Sequence, residues 1–220
     1  MTALSGPGQP GPGQPGPGQA DPGARARRLF GLRDGTADDL AGQADAVAAA
    51  CHAMAVRFHQ GGRLVVFGTG GSSTDAQHVA VEFVHPVIVG KRALPAISLT
   101  ADVATVTGIA ERAGMSAIFS HQLRYLARPN DIALGISADG DSPAVAAGLE
   151  TARELGLLTV ALVDGDGNQQ AGKVADHVLV AGSTDPRVVK EMHVTMYHVL
   201  WELVHVFFEQ PGVLGPGVIA

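Results

Sequence analysis

Cysteine is nearly absent from this chain: 220 residues hold one, Cys51, which excludes an intrachain disulfide and a thiolate metal cluster. Cys51 falls in an Ala-rich helical run and reads as a small core residue. Positive charge is also scarce. With 15 Lys and Arg against 21 Asp and Glu, the formal charge is -6, so no overall positive field exists to hold a nucleic-acid backbone. Long apolar runs are missing too. The most apolar stretch, Val194–Phe208, is broken by His198, Glu202 and His205, and no basic stub followed by an apolar run opens the sequence. Neither a membrane span nor a signal peptide is expected, which points to a soluble cytoplasmic protein.

Glycine and proline, by contrast, are plentiful, at 29 and 13, but unevenly placed. Seven Gly and six Pro fall in Gly6–Gly23, and three Gly and two Pro in Pro211–Gly217. The first of these reads G-P-G-Q-P with a period of five, whereas collagen needs glycine at every third position. With almost no apolar side chain to offset the entropy of ordering, it reads as a flexible tail. Arg25, Arg27, Arg28 and Arg33, set against Asp34, Asp38 and Asp39, read as a solvated linker. The expected organisation is a disordered tail over 1–35, one domain over 36–209 and a flexible tail over 210–220.

Within the domain, helical and strand periodicity alternate. Thr36 with Asp39 resembles a capping box, and Leu40, Ala44, Val47, Cys51, Met54 and Phe58 recur at helical spacing up to Gly61 and Gly62. Continuous apolar runs at 63–67, 96–99, 132–136, 159–163 and 177–180 have the character of strands covered on both faces. Helical segments are expected near 73–83, 102–110, 116–126, 144–155 and 188–209. Strands alternating with helices at this spacing predict an α/β fold with a parallel sheet of about five strands and right-handed crossovers.

In such a sheet the binding crevice lies beyond the carboxyl ends of the strands. Two strand exits draw attention. Gly68-Thr69-Gly70-Gly71-Ser72-Ser73-Thr74 joins a strand to a helix, and its glycines allow backbone N–H groups to face an anion at the helix N-terminus. Ser137-Ala138-Asp139-Gly140-Asp141-Ser142-Pro143 is the second, with Pro143 suited to the first helical position. His78 and Glu82 follow the first loop at i and i+4, a spacing at which imidazole and carboxylate can meet one metal ion or one substrate, or simply pair at a surface. In the last helix Glu191, His198, Glu202 and His205 share a stripe. His198, among Val194, Leu200, Trp201 and Leu203, is either a satisfied core residue or a site residue.

The runs G-T-G-G-S-S-T-D-A-Q-H-V-A-V-E-F, L-P-A-I-S-L-T-A-D, R-P-N-D-I-A-L-G-I-S-A-D-G-D-S and E-M-H-V-T-M-Y-H-V-L together resemble the phosphoheptose isomerases of the sugar isomerase (SIS) domain superfamily, over about 36–209. The resemblance implies a three-layer sandwich, a five-stranded parallel sheet flanked by helices, in a homotetramer whose sites are completed by neighbouring subunits. It implies interconversion of sedoheptulose 7-phosphate with the corresponding heptose 7-phosphate, usually with bound zinc. Matched residue by residue, Gly70, Gly71, Ser72, Ser137 and Ser142 fall in the phosphate loops and Asp102 beside the sugar. His78, Glu82 and His198 match metal ligands, Glu82 doubling as the base and His198 as the acid of an enediol mechanism.

Some positions depart from the family. Where it has S-T-S-G-N-S, this chain has S-A-D-G-D-S, placing Asp139 and Asp141 in the second loop. A carboxylate about 4 Å from a phosphate charge costs on the order of 4 kcal/mol at an effective dielectric near 20. Lys190 stands where the family has a glutamine ligand to the metal, Arg187 where it has an aspartate, and Pro86 where it has an arginine. An ammonium has no lone pair to offer a metal. Two readings follow. In one, Lys190 and Arg187 offset Asp139 and Asp141 and the chain is a sugar-phosphate isomerase, with Asp139 and Lys190 among its ligand-binding residues. In the other it is a non-catalytic SIS module that binds a sugar derivative or assembles with itself.

Overall fold

A computed structural model of the chain describes residues 21–138, 142–165, 170–210 and 212–215. The G-P-G-Q-P repeat, Asp139 and Asp141 lie outside them. The chain divides into two compact units, Met1–Asp34 and Gly35–Ala220.

The smaller unit contains a helix where the sequence suggests only a linker. This is α1, Pro22–Gly31, with Asp21 as N-cap accepting from the Gly23 N–H and Pro22 in the first turn. Arg, Ala and Leu are good helix formers, and the cap with the following proline supplies the start signal. No side chain of α1 is buried.

In the larger unit, α2 (Thr36–Ala41) and α3 (Ala44–His59) replace the single helix that the periodicity suggests. Thr36 is not a capping residue. Gly35, at φ 82°, holds that position without a side-chain bond, and Thr36 is buried inside the first turn. The break at Gly42 and Gln43 has a tertiary cause: the Gln43 amide accepts from the Val180 N–H at 2.9 Å and donates to the Val180 carbonyl at 2.8 Å. Val180 ends the edge strand of the sheet, so Gln43 satisfies backbone groups that no strand pairs.

The sheet has β1 (Leu64–Gly68), β2 (Ala96–Ser98), β3 (Ile132–Ser137), β4 (Leu158–Val163) and β5 (His177–Val180), all parallel in the order β2-β1-β3-β4-β5. All residues of β1, β3 and β4 are buried, as continuous apolar runs require when both faces are covered. Alternate side chains go to opposite faces. Leu64, Val66, Leu134, Ile136, Val160 and Leu162 pack on one side with α3, α4 (Gly71–Val84) and α9 (Pro186–Phe208). Val65, Phe67, Ala133, Ala161 and Val163 pack on the other with α5 (Val103–Ala113), α6 (Ile118–Leu126), α7 (Pro143–Glu154) and α8 (Gln170–Val174). The result is the three-layer sandwich expected from the sequence, with α8 as a short helix that the sequence pattern does not signal.

At the C-terminal end, the stretch expected to be a flexible tail is partly packed. The ring nitrogens of His52 and His59 face the carbonyls of Val213 and Gly215, and Leu214 packs against the core. Among the described residues, no helix is long and apolar enough to cross a membrane.

Candidate functional site

β1 and β3 are neighbours in register, Gly68 beside Ile136, so the two loops singled out in the sequence leave the sheet side by side. Gly68 must be glycine: a Cβ there would lie 2.8 Å from the Ser72 carbonyl oxygen and 2.9 Å from that of Ile136. Gly70, at φ 56° and ψ -126°, turns the chain into α4 in a conformation open to glycine. At the second exit Ser142 caps α7, accepting from the Val145 N–H, and Pro143 begins the helix. The Thr69 and Ser142 hydroxyls, 3.0 Å apart, tie the two loops together. Ser137 is buried, and its hydroxyl has no hydrogen-bond partner among the described residues. A pocket of about 260 Å³ opens here, lined by Thr69, Gly70, Gly71, Ser72, Ala138, Pro186 and Lys190. The start of a 14-residue helix next to hydroxyls suits an anion, although the Ser72 and Ser73 N–H groups donate to the Thr69 and Gly70 carbonyls.

Two turns along α4, the sequence-predicted trio comes together. His78 Nε2 lies 3.3 Å from Glu82 Oε1, and His198, from α9, completes a group whose ligand atoms all lie within 4.8 Å of one another. Both histidines are exposed and Glu82 is half-buried, so the three are open to a ligand. His198 is therefore not a core residue. Two imidazoles and one carboxylate form a donor set suited to zinc with a position left open. The helices are held together here by the indole N–H of Trp201, which donates to the Glu82 carbonyl at 2.9 Å. The two imidazoles are 5.3 Å apart, and the Tyr197 ring packs beside both, its centroid 5.5 Å from that of His78 and 4.9 Å from that of His198. Burial, with the charges of Asp75 and Glu82, pushes the Tyr197 hydroxyl up to about 12.

Of the other residues of the predicted stripe, Glu191 and Glu202 are exposed and His205 belongs to the fold. His205 is buried, with its two ring nitrogens against the carbonyls of Trp201 and Arg92. His193, also on α9, is buried against the Val163 carbonyl at 3.2 Å and does not join the His78, Glu82 and His198 group. Burial holds its imidazole below the ordinary value.

The cations expected to offset Asp139 and Asp141 are paired elsewhere. Lys190 Nζ lies 2.7 and 2.8 Å from the two carboxylate oxygens of buried Asp75 and 3.0 Å from the Gly71 carbonyl. Arg187 forms a fork on Asp185, the N-cap of α9, and the Arg187 hydrogen bonds hold that carboxyl well below the usual carboxylate range. Asp102 caps α5, accepting from the Ala104 and Thr105 N–H groups and the Thr105 hydroxyl, and the Thr105 bonds lower its carboxyl. Three contributors were not legible in advance: Thr69, Asp75 and Tyr197. Asp75 and Tyr197 sit in the very runs that carry His78 and His198, three residues before the one and one before the other, and that adjacency was the available signal.

Residues 36–164 match the family described as SIS domain. The phosphoheptose isomerase of Desulfovibrio desulfuricans is 40% identical over 158 residues, covering 71% of this chain and 75% of that protein. Among solved structures, a phosphoheptose isomerase from Francisella tularensis superposes with a TM-score of 0.80 at 28% identity, over 85% of this chain and all of that one. That of Neisseria gonorrhoeae gives a TM-score of 0.77 at 26% identity, over 84% and 98%.

Proposed function

The chain belongs to the phosphoheptose isomerase family of SIS-domain proteins and is an isomerase; from that premise we propose that it interconverts the aldose and ketose forms of a sugar phosphate of the sedoheptulose 7-phosphate type. The observation that carries this reading is the meeting of His78, Glu82 and His198 within 4.8 Å beside the anion-suited N-terminus of α4. The phosphate sits at the first turn of α4, where Gly70, Gly71 and Ser72 present the backbone, with the Ser137 and Ser142 hydroxyls opposite. The sugar then extends along α4 toward Glu82, with Asp102 on its far side.

Aldose–ketose isomerisation moves a proton between adjacent carbons through an enediol. Glu82 removes the proton from one carbon and returns it to the next, and His198 manages the proton on the neighbouring oxygens. The carboxylate is placed for this by the His78 contact and by the backbone bond from Trp201. A zinc ion held by His78, Glu82 and His198 would supply electrophilic stabilisation of the developing oxyanion. Asp139, within the second loop, tunes which phosphorylated sugar is accepted.

We further infer a homotetramer, acting in the cytoplasm, with 36–209 as the catalytic domain. Support for self-association comes from the segment after α4, where Val87, Ile88 and Val89 are exposed and Val89 is fully so. Light scattering of the purified chain measures the assembly. For the activity, the test is incubation with sedoheptulose 7-phosphate, with zinc supplied or removed by a chelator. Interconversion that disappears in Glu82→Gln is the expected result; none with zinc present overturns the reading.

A further inference from the structure

Lys190 and Asp75 form an ion pair that joins the two helices carrying the reactive trio. The Asp75 side chain is 5% exposed and that of Lys190 42%, with Nζ 2.7 and 2.8 Å from the carboxylate oxygens. A third contact, 3.0 Å to the Gly71 carbonyl, reaches the first residue of α4. An ammonium has three hydrogens. The two carboxylate oxygens, the Gly71 carbonyl and the Thr74 hydroxyl at 3.4 Å give Nζ four acceptors on α4, so the intact bridge already occupies the ammonium, although Lys190 lines the pocket.

Helical spacing carries the consequence to the reactive groups. Asp75 and Glu82 are seven residues apart on α4, and Lys190 and His198 eight apart on α9, so each pair spans about two turns, roughly 10–12 Å. On α9, Lys190, His193 and Tyr197 fall at i, i+3 and i+7, a single face. Asp75 is near enough for its charge to act on both His193 and Tyr197. Tyr197 in turn lies against the rings of His78 and His198. A shift of α4 against α9 at the bridge is therefore passed on to the separation between Glu82 and His198.

We propose that Lys190 is a positioning residue, whose ammonium locks the first turn of α4 to α9 through Asp75 and thereby sets the spacing of Glu82 and His198. As a role in turnover, this rests on the isomerase reading above. The test is a double-mutant cycle on the full chain with Lys190→Met and Asp75→Asn, read as kcat and KM for sedoheptulose 7-phosphate well below the melting temperature. Lys190→Met leaves the buried Asp75 carboxylate unpaired and Asp75→Asn leaves the partly exposed ammonium without its counter-charge, and a misplacement of the reacting groups lowers kcat by about tenfold or more while KM changes by less than about threefold. The double variant, with no buried charge left unmatched, recovers most of that loss. A rise in KM alone in Lys190→Met, not recovered in the double variant, overturns the proposal and makes Lys190 a direct ligand of the substrate. Unchanged kcat in all three variants, with only lower melting temperatures, also overturns it.

A second readout does not depend on turnover. The imidazole NMR resonances of His78 and His198 are expected to move in each single variant and return in the double. If the parent chain turns over no sugar phosphate yet these resonances behave so, the isomerase reading fails and the bridge stands. Resonances indifferent to both substitutions overturn the bridge whatever the activity.

Discussion

The two ends of the α4–α9 contact differ in kind. Near the start of both helices, Asp75 and Lys190 are close, paired and, on the aspartate side, out of water. Further along, His78, Glu82 and His198 gather more loosely, within 4.8 Å of one another, and stay more open to solvent. The same pair of helices thus spends its charges on itself at one end and presents them at the other. Burial makes the difference. A charge removed from water must be matched inside the protein, whereas one at the rim can wait for a ligand. Lys190, which replaces a metal ligand in the resemblance drawn from the sequence, falls on the matched side of this division.

Substitutions can break that contrast, beginning at the open end. Glu82→Gln is expected to lower kcat/KM for the sugar phosphate by about a thousandfold, within the range for losing a general base, with the melting temperature unchanged. Steady-state kinetics and a thermal melt on the same sample check it. His198→Asn is expected to abolish stoichiometric zinc uptake in protein purified without chelators, measured by metal analysis, again without unfolding. The closed end should behave in the opposite way. Lys190→Met strands the Asp75 carboxylate and is expected to cost about 1–3 kcal/mol in denaturant unfolding, below the usual figure for a broken buried pair because the lysine is partly exposed. Gly68→Ala tests the loop common to both ends. Its Cβ meets two backbone oxygens, and overpacking of that kind costs about 1–3 kcal/mol, seen as an earlier unfolding midpoint together with weaker phosphate binding. The smallest effect is expected at Cys51, whose thiol burial pushes up to about 12. Raising the pKa of an acid favours its neutral form, so this contribution to stability is whole below the ordinary thiol value of 9.0 and is lost as pH rises toward about 12. A thiol reagent at pH 8 should label Cys51 only in denaturant.

Much of the site was readable along the chain because its parts are local. His78 and Glu82 are one turn apart on a single helix, and each Gly-rich loop is a contiguous run, so spacing alone exposed them. His198 was ambiguous for the converse reason. It stands among apolar residues on a long helix, and whether such a histidine faces the core or a ligand depends on the rotation of α9 against α4. His205, two turns further along the same stripe, is covered by its surroundings and has its ring nitrogens against two carbonyls. The single helix expected from Thr36 onward failed because Gln43 is claimed by the edge of β5, 137 residues away in sequence. The same holds for Asp75, whose partner Lys190 is 115 residues distant.

By itself, then, the sequence determined the alternation of strands and helices, the parallel three-layer fold and the two Gly-rich loops at neighbouring strand exits. Those follow from periodicity, glycine placement and short-range spacing, which act within a few residues. Only the tertiary structure decided which charged and aromatic side chains are left over for chemistry. Lys190, His193 and His205 are bound up in the fold, and His78, Glu82 and His198 remain available. That division depends on which groups lose their water, and desolvation is a property of the packed molecule that no local stretch of chain can specify.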